Sequence, residues 1–561
     1  MSAARQIVLV GLSGVGKSSV GEVLAERLGW PLLDTDDLIT EREGRTPAQL
    51  IVSGGEASFR RIEERVVVEA ARRRPAVIAT GGGAFLSARA RRALGESGFL
   101  CHLDATPQAI ADRLRQAPDA SERPLLSGDV ERRLLELDQQ RRPYYAHADA
   151  WIPVQALTPD EAASRILALW SERSPGALAD ERRLARLGAE APARAPTAVV
   201  DTVSERYPVW VGAGELERLP DRLRMLGLGG RVLVISDSDV IALHGRTVAQ
   251  TLDEAGIAGA SYIVPSGERS KQLSVAAELY GWLAEQRAER GDAVLALGGG
   301  MVGDLAGYVA ATYLRGMPLV HLPTSVLAMT DASVGGKVAV DLPQGKNLVG
   351  AFHQPRGVIA DTGTLATLPH RSLVEGFAEV IKHALILDTE LIDDLAEHAA
   401  ELAGGTADPS LLAAVIGRSV RAKALVVSSD PHEAGMRAIL NYGHTIGHGV
   451  EAAGGYEQFL HGEAVAVGMV GAARIAERMG LLDPGDSRRH EELLRAFGLP
   501  VACPGIDVEA VLQAMRYDKK IVSGQQRFVL LEAPGRTVVR DDVPERLVED
   551  VVRGLASGTA T

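Results

Sequence analysis

Three histidines with suggestive spacing occur in residues 441–465, NYGHTIGHGVEAAGGYEQFLHGEAV. His444 and His448 are four residues apart, and His461 comes two residues before Glu463. Two imidazoles at i and i+4 share one face of a helix, so this pair could bind one divalent metal. Alternatively, His448 is an ordinary buried histidine, and Glu463 is an acid that begins a helix. Spacing alone leaves the choice of ligands open.

A phosphate-binding pattern lies near the start of the chain. GLSGVGKS, residues 11–18, follows the apolar run QIVLV and opens KSSVGEVLAERLG, so we expect a strand before it and a helix after it. It fits G-x-x-x-x-G-K-[ST], in which backbone N–H groups face phosphate oxygens, the lysine reaches the terminal phosphates and the serine hydroxyl suits Mg²⁺. A glycine-rich turn with a surface lysine is the alternative. The residues expected at ATP are Gly14, Val15, Gly16, Lys17, Ser18 and Ser19, with Ser18 at Mg²⁺.

Two aspartates follow the next apolar run, in PLLDTDD. Asp34 or Asp36 at a strand end could hold Mg²⁺ through water, or accept a proton from a substrate hydroxyl. Either residue, or Asp37, could instead cap the following helix.

Composition narrows the class of protein. A chain of 561 residues exceeds one ordinary domain, so we expect two to four compact units. The net charge of −13 argues against nucleic acid or an anionic membrane as the main partner. Two cysteines, Cys101 and Cys503, supply neither a disulfide framework nor a thiolate metal cage. With no membrane-length apolar run and no signal-peptide layout, a cytoplasmic location is expected.

Lysine is scarce in this sequence. Only 8 of its 60 basic residues are lysines, which indicates that arginine serves wherever any cation suffices. The lysines that remain should then be enriched where a compact, titratable ammonium is needed, although chance survival on the surface is the alternative. They are Lys17, Lys271, Lys337, Lys346, Lys382, Lys423, Lys519 and Lys520.

Hydrophobic patterning divides the chain into four segments. Residues 1–171 alternate strand-like and amphipathic runs, which predicts an α/β domain with a parallel sheet. Residues 172–197, rich in Ala, Pro and Arg, are predicted to form a linker. A second α/β pattern covers residues 198–360, and helical periodicity dominates residues 361–561. In the third segment LALGGGMVGD places three glycines between a strand and a helix; alone, this could equally be a tight turn.

The first segment resembles shikimate kinase over nearly all of residues 1–170. SFRRIEE, TGGGAFL, SERPLLSG and RRPYYAHAD follow the phosphate-binding loop in order. The resemblance implies a P-loop kinase that uses Mg-ATP to convert shikimate to shikimate 3-phosphate. In that family Arg123 would lie on a mobile lid facing the transferring phosphate, and Arg113 would stack on adenine, with Arg115 as the competing alignment. The residues implied at shikimate are Asp36, Arg60, Gly81–Gly83 and Arg141, the last favoured over Arg142 by R-x-P-x-Y.

The rest of the chain resembles 3-dehydroquinate synthase over residues ~198–555. PSGERSKQL, LALGGGMVGD, PTSVLAMTDASVGGKVAVDLPQGKNLVGAFHQP, EGFAEVIKHALILD, KALVVSSDPHEAGMRAILNYGHTIGH, LHGEAVAVGM and RYDKK occur in the family order. The resemblance implies an NAD-binding α/β domain and a mainly helical domain that binds a divalent metal, zinc or alternatively cobalt. The implied reaction converts 3-deoxy-D-arabino-heptulosonate 7-phosphate to 3-dehydroquinate with loss of phosphate.

The resemblance also assigns residues. It places the metal on Glu379, His444 and His461, and moves His448 to the substrate as a proton relay. Lys337, Lys382 and Lys423 would take part in catalysis with His448. Asp237 could instead be a helix cap, and Asp239 stands where the family often has Asn. The residues implied at NAD are Asp237, Glu268, Lys271, Gly299, Gly300, Asp304, Thr324, Ser325, Asp331, Lys337 and Lys346. Those implied at the heptulosonate phosphate are Arg315, Lys346, Asn347, Lys382, Lys423, Arg437, Asn441, His448 and Lys519, with Glu433 and Asp331 holding hydroxyl and lysine groups.

Other functions remain open on the sequence. For the second part they are another sugar-phosphate cyclase or a metal-dependent polyol dehydrogenase, and VGGK…GKN with the lysine set favours the synthase. For the first part they are a different small-molecule kinase or a regulatory ATP-binding module.

Arg315 could reach a neighbouring subunit's substrate, which predicts a homodimer.

Overall fold

The chain folds into two compact units. The computed structural model describes residues 6–95, 98–116, 130–145, 148–155, 157–173, 196–202, 205–431, 433, 435–517 and 526–558. One unit comprises Met1–Pro196 and Asp201–Val203, and the other comprises Thr197–Val200 and Ser204–Thr561. Most of the expected linker, residues 172–197, lies outside the described residues. Within the described ranges, no helix has both the length and the apolar character that crossing a bilayer requires.

The first unit is a five-stranded parallel sheet with helices, as predicted. Its strands are β1 (Gln6–Val10), β2 (Leu32–Asp34), β3 (Ala76–Ala79), β4 (Gly98–Asp104) and β5 (Ala150–Pro153), in the order β2–β3–β1–β4–β5. Its helices are α1 (Lys17–Leu28), α2 (Thr35–Glu43), α3 (Pro47–Gly54), α4 (Glu56–Ala70), α5 (Ala88–Gly95), α6 (Pro107–Gln116), α7 (Val130–Tyr145) and α8 (Pro159–Arg173). Strands β1 and β3 bury every residue, as expected for parallel strands covered on both faces.

Three neighbouring strand ends bring the kinase-like motifs together. In the parallel register, Ala79 at the end of β3 lies opposite both Leu9 of β1 and Asp34 of β2. The phosphate-binding loop follows β1, the two aspartates follow β2, and the three glycines follow β3. Because these strands end at one edge of the sheet, motifs far apart in sequence meet there.

The second unit contains a seven-stranded sheet and two hairpins. The strands are β6 (Ala198–Asp201), β7 (Arg206–Gly212), β8 (Val232–Asp237), β9 (Gly259–Val264), β10 (Ala293–Gly298), β11 (Leu319–Pro323), β12 (Lys337–Leu342), β13 (Gly345–Phe352), β14 (Gly357–Asp361), β15 (Phe528–Ala533) and β16 (Arg536–Arg540). The sheet order is β6–β7–β14–β11–β10–β8–β9, and all pairings from β7 to β9 are parallel. The antiparallel pairs β12–β13 and β15–β16 lie outside it.

Helices cover this sheet and form nearly all of the unit beyond it. They are α9 (Leu219–Met225), α10 (Ser238–Glu254), α11 (Leu273–Glu285), α12 (Gly300–Thr312), α13 (His370–Ile386), α14 (Thr389–Ala403), α15 (Pro409–Ser429), α16 (His444–Ala453), α17 (His461–Arg478), α18 (Pro484–Ala496), α19 (Val508–Tyr517) and α20 (Glu545–Ser557). Alternate residues of β8 enter opposite cores: Val232 and Val234 pack on one face, Leu233 and Ile235 on the other. The described residues after 361 are helical apart from the β15–β16 hairpin and short turns, which agrees with the predicted change to helical periodicity.

Helix α13 is buried on all sides. Every residue from Leu373 to Ile386 is buried, and these include Glu379, Lys382 and His383. A helix enclosed in this way lies in the middle of a core. Its ionisable side chains must therefore find partners within the protein.

Helices α16 and α17 approach each other so closely that their backbones touch. A methyl group built at Gly468 would lie 1.9 Å from the carbonyl oxygen of Gly443, and one at Gly447 would lie 2.9 Å from that of Ala464. His444 and His461 are the first residues of these two helices. The glycines thus fix the distance between the elements that carry both histidines.

Gly468→Ala should destabilise the protein by about 3 kcal/mol, because a backbone carbonyl cannot move aside as a flexible side chain can. Gly281→Ala in α11 is a matched control: Gly281 is exposed, and its added methyl group meets no atom within 4 Å. That change should stabilise the helix by about 0.5–1 kcal/mol. Urea unfolding followed by circular dichroism measures both, and equal midpoints for the two variants would contradict the packing described.

Candidate active sites

A lysine and an arginine donate hydrogen bonds to backbone carbonyl oxygens of the phosphate-binding loop. Lys17 is 8% exposed, and its Nζ donates to the carbonyl oxygens of Gly11 at 2.9 Å and Leu12 at 2.7 Å. Gly16, at φ 106°, precedes helix α1 without a side-chain cap, so the backbone N–H groups of the first turn face the loop. Arg113 donates to the carbonyl oxygen of Val15 at 3.0 Å. Arg115 pairs instead with Asp112, so of the two candidates only Arg113 contacts the loop.

The start of α1 and the end of β2 are joined through Ser18. Its hydroxyl donates to a carboxylate oxygen of Asp34 at 2.7 Å, and the other oxygen of Asp34 accepts the backbone N–H of Asp36 at 3.0 Å. Asp34 is therefore the cap of α2 as well as the partner of Ser18. A hydroxyl beside a carboxylate, next to a phosphate loop, is a donor set that suits Mg²⁺.

Asp36 lies in a crowded acidic pocket. Burial, reinforced by the charges of Asp34 and Glu63, raises the pKa of Asp36 to about 6. A carboxylate with a pKa near neutrality can accept a proton under physiological conditions. A methyl group at Gly81 would lie 2.6 Å from Asp36 Oδ1 and 2.7 Å from Glu63 Oε1, so only glycine leaves room for both acids.

Arginines approach the other two glycines. Arg141 is buried, and its Nη1 donates to the carbonyl oxygen of Gly82 at 2.9 Å. Arg60 Nη1 would lie 2.0 Å from a methyl group at Gly83, and it donates to Glu63 at 2.6 Å. The structure thus places Asp36, Arg60, Gly82 and Arg141 around one pocket. Arg123 lies outside the described residues, as does the side chain of Arg142.

The second unit has a comparable strand-end site. Asp237 ends β8 and caps α10, accepting the backbone N–H groups of Asp239 and Val240, both at 3.0 Å. Gly299 precedes α12, and no described side chain caps that helix. Because β8, β10 and β11 are neighbours, Asp237, the glycines, and Thr324 with Ser325 lie along one carboxyl edge, which is where nucleotides bind in such sheets.

An ion pair lies beside these glycines. Lys271 Nζ donates to Asp304 at 2.6 Å and lies 3.6 Å from Glu268. Burial raises the pKa of Asp304 to about 6, even though the charge of Lys271 lowers it. The three residues form one contact group.

Glu379, His444 and His461 meet in the helical part. Glu379 Oε1 lies 3.8 Å from His444 Nε2 and 3.9 Å from His461 Nε2, and all three atoms lie within 4.8 Å of one another. Bonds of about 2.0–2.1 Å in a tetrahedral zinc site separate ligand atoms by about 3.4 Å, so small movements would close this set on a metal. Glu379 is fully buried, and its Oε1, which faces the two imidazoles, accepts no hydrogen bond from any described residue.

Only one further group of described residues has comparable spacing: Asp331, Glu379 and His383. There, however, Asp331 pairs with Lys423, and Glu379 pairs with Lys382 through its other oxygen. Two ammonium groups disfavour a cation at that position. His448 belongs to neither group; its ring centre lies 5.3 Å from that of His444 and 6.0 Å from that of His461. The i, i+4 pair therefore lies beside the ligand set without forming it.

The buried lysine pair has unusual electrostatics. Burial raises the pKa of Asp331, but the charge of Lys423, followed by that of Lys382, holds it far below its usual range. Burial lowers the pKa of Lys423 to about 8. Asp331, expected both at NAD and beside lysine groups, lies in a π-helical turn, Ala328–Ala332, and contacts Lys423.

Two cations lie on the β12–β13 hairpin, and a third lies in the turns before α16. Lys337 pairs with Glu433, which also accepts the side-chain amide of Asn441 at 2.9 Å. Arg437 is buried and donates to the carbonyl oxygens of Pro431 at 2.6 Å and Gly335 at 3.1 Å. Lys346 pairs with Glu451 at 2.9 Å.

Two of the remaining candidates stand in left-handed backbone. Asn347 has φ 55° and donates its backbone N–H to Asp341 at 2.8 Å. Arg315 has φ 64° and is exposed in the turn after α12. Lys519 lies outside the described residues. A non-glycine residue whose backbone is held in the left-handed region is often part of a binding site.

Three family models match the chain. Shikimate kinase matches residues 13–170, the N-terminal part of 3-dehydroquinate synthase matches residues 261–375, and its C-terminal part matches residues 376–521. The 3-dehydroquinate synthase of Symbiobacterium thermophilum is 49% identical, with 60% of this chain and 95% of the relative covered. That of a Picosynechococcus species is 44% identical, with 64% and 98% covered.

The chain belongs to the 3-dehydroquinate synthase family. Its first unit is a shikimate kinase domain, so the predicted combination of two enzymes of the shikimate pathway is confirmed. The solved structure of 2-deoxy-scyllo-inosose synthase with carbaglucose-6-phosphate, NAD⁺ and Co²⁺ is 30% identical, at a TM-score of 0.58, with 63% of this chain and 98% of that one covered. For 2-epi-5-epi-valiolone synthase from Streptomyces hygroscopicus with NAD⁺ and Zn²⁺, the values are 30%, 0.59, 63% and 97%. The higher identity to 3-dehydroquinate synthases favours that activity over the other cyclases.

Sequence reasoning missed two acids in these sites. Glu63 accepts from Arg60 in the kinase pocket, and Glu451 joins Lys346 to His461 in the synthase. Burial raises the pKa of Glu451, but His461 and Lys346 outweigh it and lower that pKa to about 2. Glu451 follows His448 by three residues and His444 by seven, so helical periodicity would have placed it on the histidine face.

Alanine substitutions distinguish the histidines that bind the metal from His448, which lies beside them. His444→Ala should abolish stoichiometric zinc binding, since it removes one of three ligands. His448→Ala should keep the zinc and lose synthase rate by about 10²–10⁴-fold, the usual contribution of a proton carrier. Metal content by atomic emission, together with a steady-state synthase assay, measures both. Loss of zinc from His448→Ala would make His448 a ligand.

Proposed function

We propose that the chain carries out two reactions of the shikimate pathway through the residues described above. The first unit transfers a phosphoryl group from ATP to shikimate. The second converts 3-deoxy-D-arabino-heptulosonate 7-phosphate to 3-dehydroquinate and releases phosphate. The observation that carries the second assignment is the meeting of Glu379, His444 and His461, with Lys382 on Glu379 and Lys346 linked to His461 through Glu451.

In the kinase, the loop residues Gly14 to Ser19 bind the ATP phosphates with their backbone N–H groups. Lys17 leaves the carbonyl oxygens of Gly11 and Leu12 to contact the terminal phosphates. Ser18 and Asp34 would hold Mg²⁺, which supplies charge neutralisation for the transferring phosphoryl group. The hydroxyl–carboxylate pair at 2.7 Å is a donor set that fits this ion.

Shikimate binds between Asp36 and the two arginines. Arg60 and Arg141 hold its carboxylate through forked, charge-assisted bonds, and Asp36 accepts the proton of the attacking hydroxyl. Arg113 stacks on adenine, and the family resemblance assigns Arg123 to the phosphoryl group in transit. Because Arg60 is already fixed by Glu63, little side-chain entropy is lost when the substrate binds.

Lys17→Ala should lower kinase activity by at least about 100-fold, since it removes the cation that faces the transferring phosphate. The synthase rate of the same preparation should not change. Coupled assays of both reactions on the intact chain make the comparison. A parallel fall in synthase rate would show that the two units depend on each other, contrary to this assignment.

In the synthase, the residues present fit a divalent metal. Glu379 is a fully buried carboxylate whose Oε1 accepts no hydrogen bond from the described residues, and two imidazole Nε2 atoms face that oxygen. These three side chains would hold zinc, with cobalt as the alternative, as suggested by the metals bound in the two related solved structures. The edge of β8 and β10 fits NAD, because the first turn of α12 follows glycines and has no described side-chain cap. When bound, NAD⁺ accepts and later returns a hydride, and the metal polarises the alcohol that is oxidised.

The chain's own residues then bind the substrate and handle its protons and charge. Lys346, Asn347, Arg437 and Lys519 surround the phosphate and carboxylate, with Arg315 reaching a second subunit's substrate. Lys382 and Lys423, held by Glu379 and Asp331, face the hydroxyls and stabilise negative charge as the phosphate leaves. Lys337 is held in place by Glu433. His448, close to the ligand histidines but outside their set, carries protons to and from the substrate.

Two broader proposals accompany this function. A homodimer formed through the synthase half would give Arg315 its expected target. A cytoplasmic location agrees with two buried, reduced cysteines, which a reducing compartment would preserve. The two reactions are not consecutive in the pathway, so the fusion does not require transfer of an intermediate between the units.

Metal removal tests the synthase assignment directly. After treatment with a chelator and dialysis, the synthase should be inactive, while the kinase assayed with fresh Mg²⁺ should be unaffected. Zinc or cobalt added back should restore the synthase. If chelation reduced both activities equally despite added Mg²⁺, the assignment of a metal to Glu379, His444 and His461 would be wrong.

A further inference from the structure

Glu451 links a metal-facing histidine to the β12–β13 hairpin. It is 7% exposed in α16, and its Oε2 lies 3.3 Å from Nδ1 of His461. Its Oε1 accepts from Lys346 Nζ at 2.9 Å. One buried carboxylate therefore contacts both the first residue of α17 and a lysine that the proposed function gives to the substrate.

The position of Glu451 determines which nitrogen of His461 carries the proton. Nε2 of His461 faces Glu379, so it must be unprotonated to bind a metal, and the proton must then be on Nδ1. An acceptor at Nδ1 favours this tautomer and orients the ring. His444 has the same arrangement with a different acceptor, since its Nδ1 faces the carbonyl oxygen of Tyr442 at 3.2 Å. The two ligands thus differ: one is backed by a neutral carbonyl and the other by a carboxylate.

The contact with Lys346 gives this carboxylate a second role. While Lys346 pairs with Glu451, part of the negative charge of Glu451 is neutralised and acts less strongly on His461. When Lys346 turns to a substrate phosphate, Glu451 acts on His461 alone, and the imidazole becomes a stronger electron donor. Occupancy of the hairpin lysine and the strength of a metal ligand are therefore connected through one side chain.

We propose that Glu451 is a positioning residue that holds the proton of His461 on Nδ1 and couples Lys346 to the metal site. This inference rests on the metal site proposed above. It concerns how the site is tuned and adds no ligand to it.

Zinc affinity of the intact chain tests the positioning role. Zinc is removed and titrated back in competition with a chromophoric chelator. Glu451→Ala should weaken zinc binding by about 10–100-fold, the usual effect of removing an acceptor behind a ligand histidine. Glu451→Gln keeps an acceptor without charge, so its affinity should fall between that of Glu451→Ala and the wild type. With Co²⁺ in place of zinc, the visible absorption of Glu451→Ala should shift, which a general loss of packing would not produce.

Glu457→Gln is the matched control. Glu457 is an exposed acid six residues further along, paired with Arg269 at 3.4 Å on the surface, and this change should leave zinc affinity at the wild-type value. Wild-type affinity in Glu451→Ala would overturn the positioning role. Failure of the wild-type chain to bind stoichiometric zinc would instead overturn the metal site itself, so the two failures can be distinguished.

The coupling is tested by a double-mutant cycle. In the chain that keeps Glu451, Lys346→Met should raise zinc affinity a few-fold, because Glu451 then acts on His461 alone. It should have no effect in Glu451→Ala, because the connecting side chain is gone. Equal effects of Lys346→Met in both backgrounds would overturn the coupling and leave the positioning role standing on its own measurement.

Discussion

The packing of the helices in the second unit must stabilise one buried carboxylate, that of Glu379. Glu379 lies at the centre of a helix that is buried on all sides, and its Oε1 accepts no hydrogen bond from the described residues. A carboxylate in such a place is costly unless cations surround it. Lys382 meets one oxygen, and the two imidazoles face the other. The arrangement of α13, α16 and α17, including the glycine contacts that bring the last two together, satisfies this one requirement.

The two units place similar groups at the carboxyl edges of their sheets, although they catalyse different reactions. In each, a helix that begins after glycines at a strand end presents backbone N–H groups, and an acid ends another strand at the same edge of the sheet. Asp34 and Asp237 are both helix caps as well as candidate site residues. A structural role and a functional role are thus compatible, because the cap uses one carboxylate oxygen and leaves the other available.

The sequence predicted the general organisation well, and specific contacts less well. Strand-like runs indicated a parallel sheet in the first unit and an α/β pattern in the second, since buried strands leave a clear apolar signature. The same patterning did not predict the metal ligands. Spacing on one helix indicated His444 with His448, and only the family resemblance added Glu379 from another helix. Periodicity describes one element at a time, whereas this set comes from three. Glu63 and Glu451 were missed because helical periodicity shows which face of a helix carries an acid, and not that this face borders a site built from several elements.

The lysines show how a compositional bias can carry structural information. Six of the eight are in the described residues; Lys17 contacts loop carbonyls, and the other five each pair with an acid: Lys271 with Asp304, Lys337 with Glu433, Lys346 with Glu451, Lys382 with Glu379 and Lys423 with Asp331. An ammonium is a compact charge on a flexible stem, so it can leave a carboxylate for a phosphate without the planar geometry that arginine requires. The acids keep these cations in place before the substrate arrives, and a phosphate with more charge can compete for them. Replacing any of them by arginine would preserve the charge and lose this exchange of partners, which explains why lysine persists here in a chain that otherwise uses arginine.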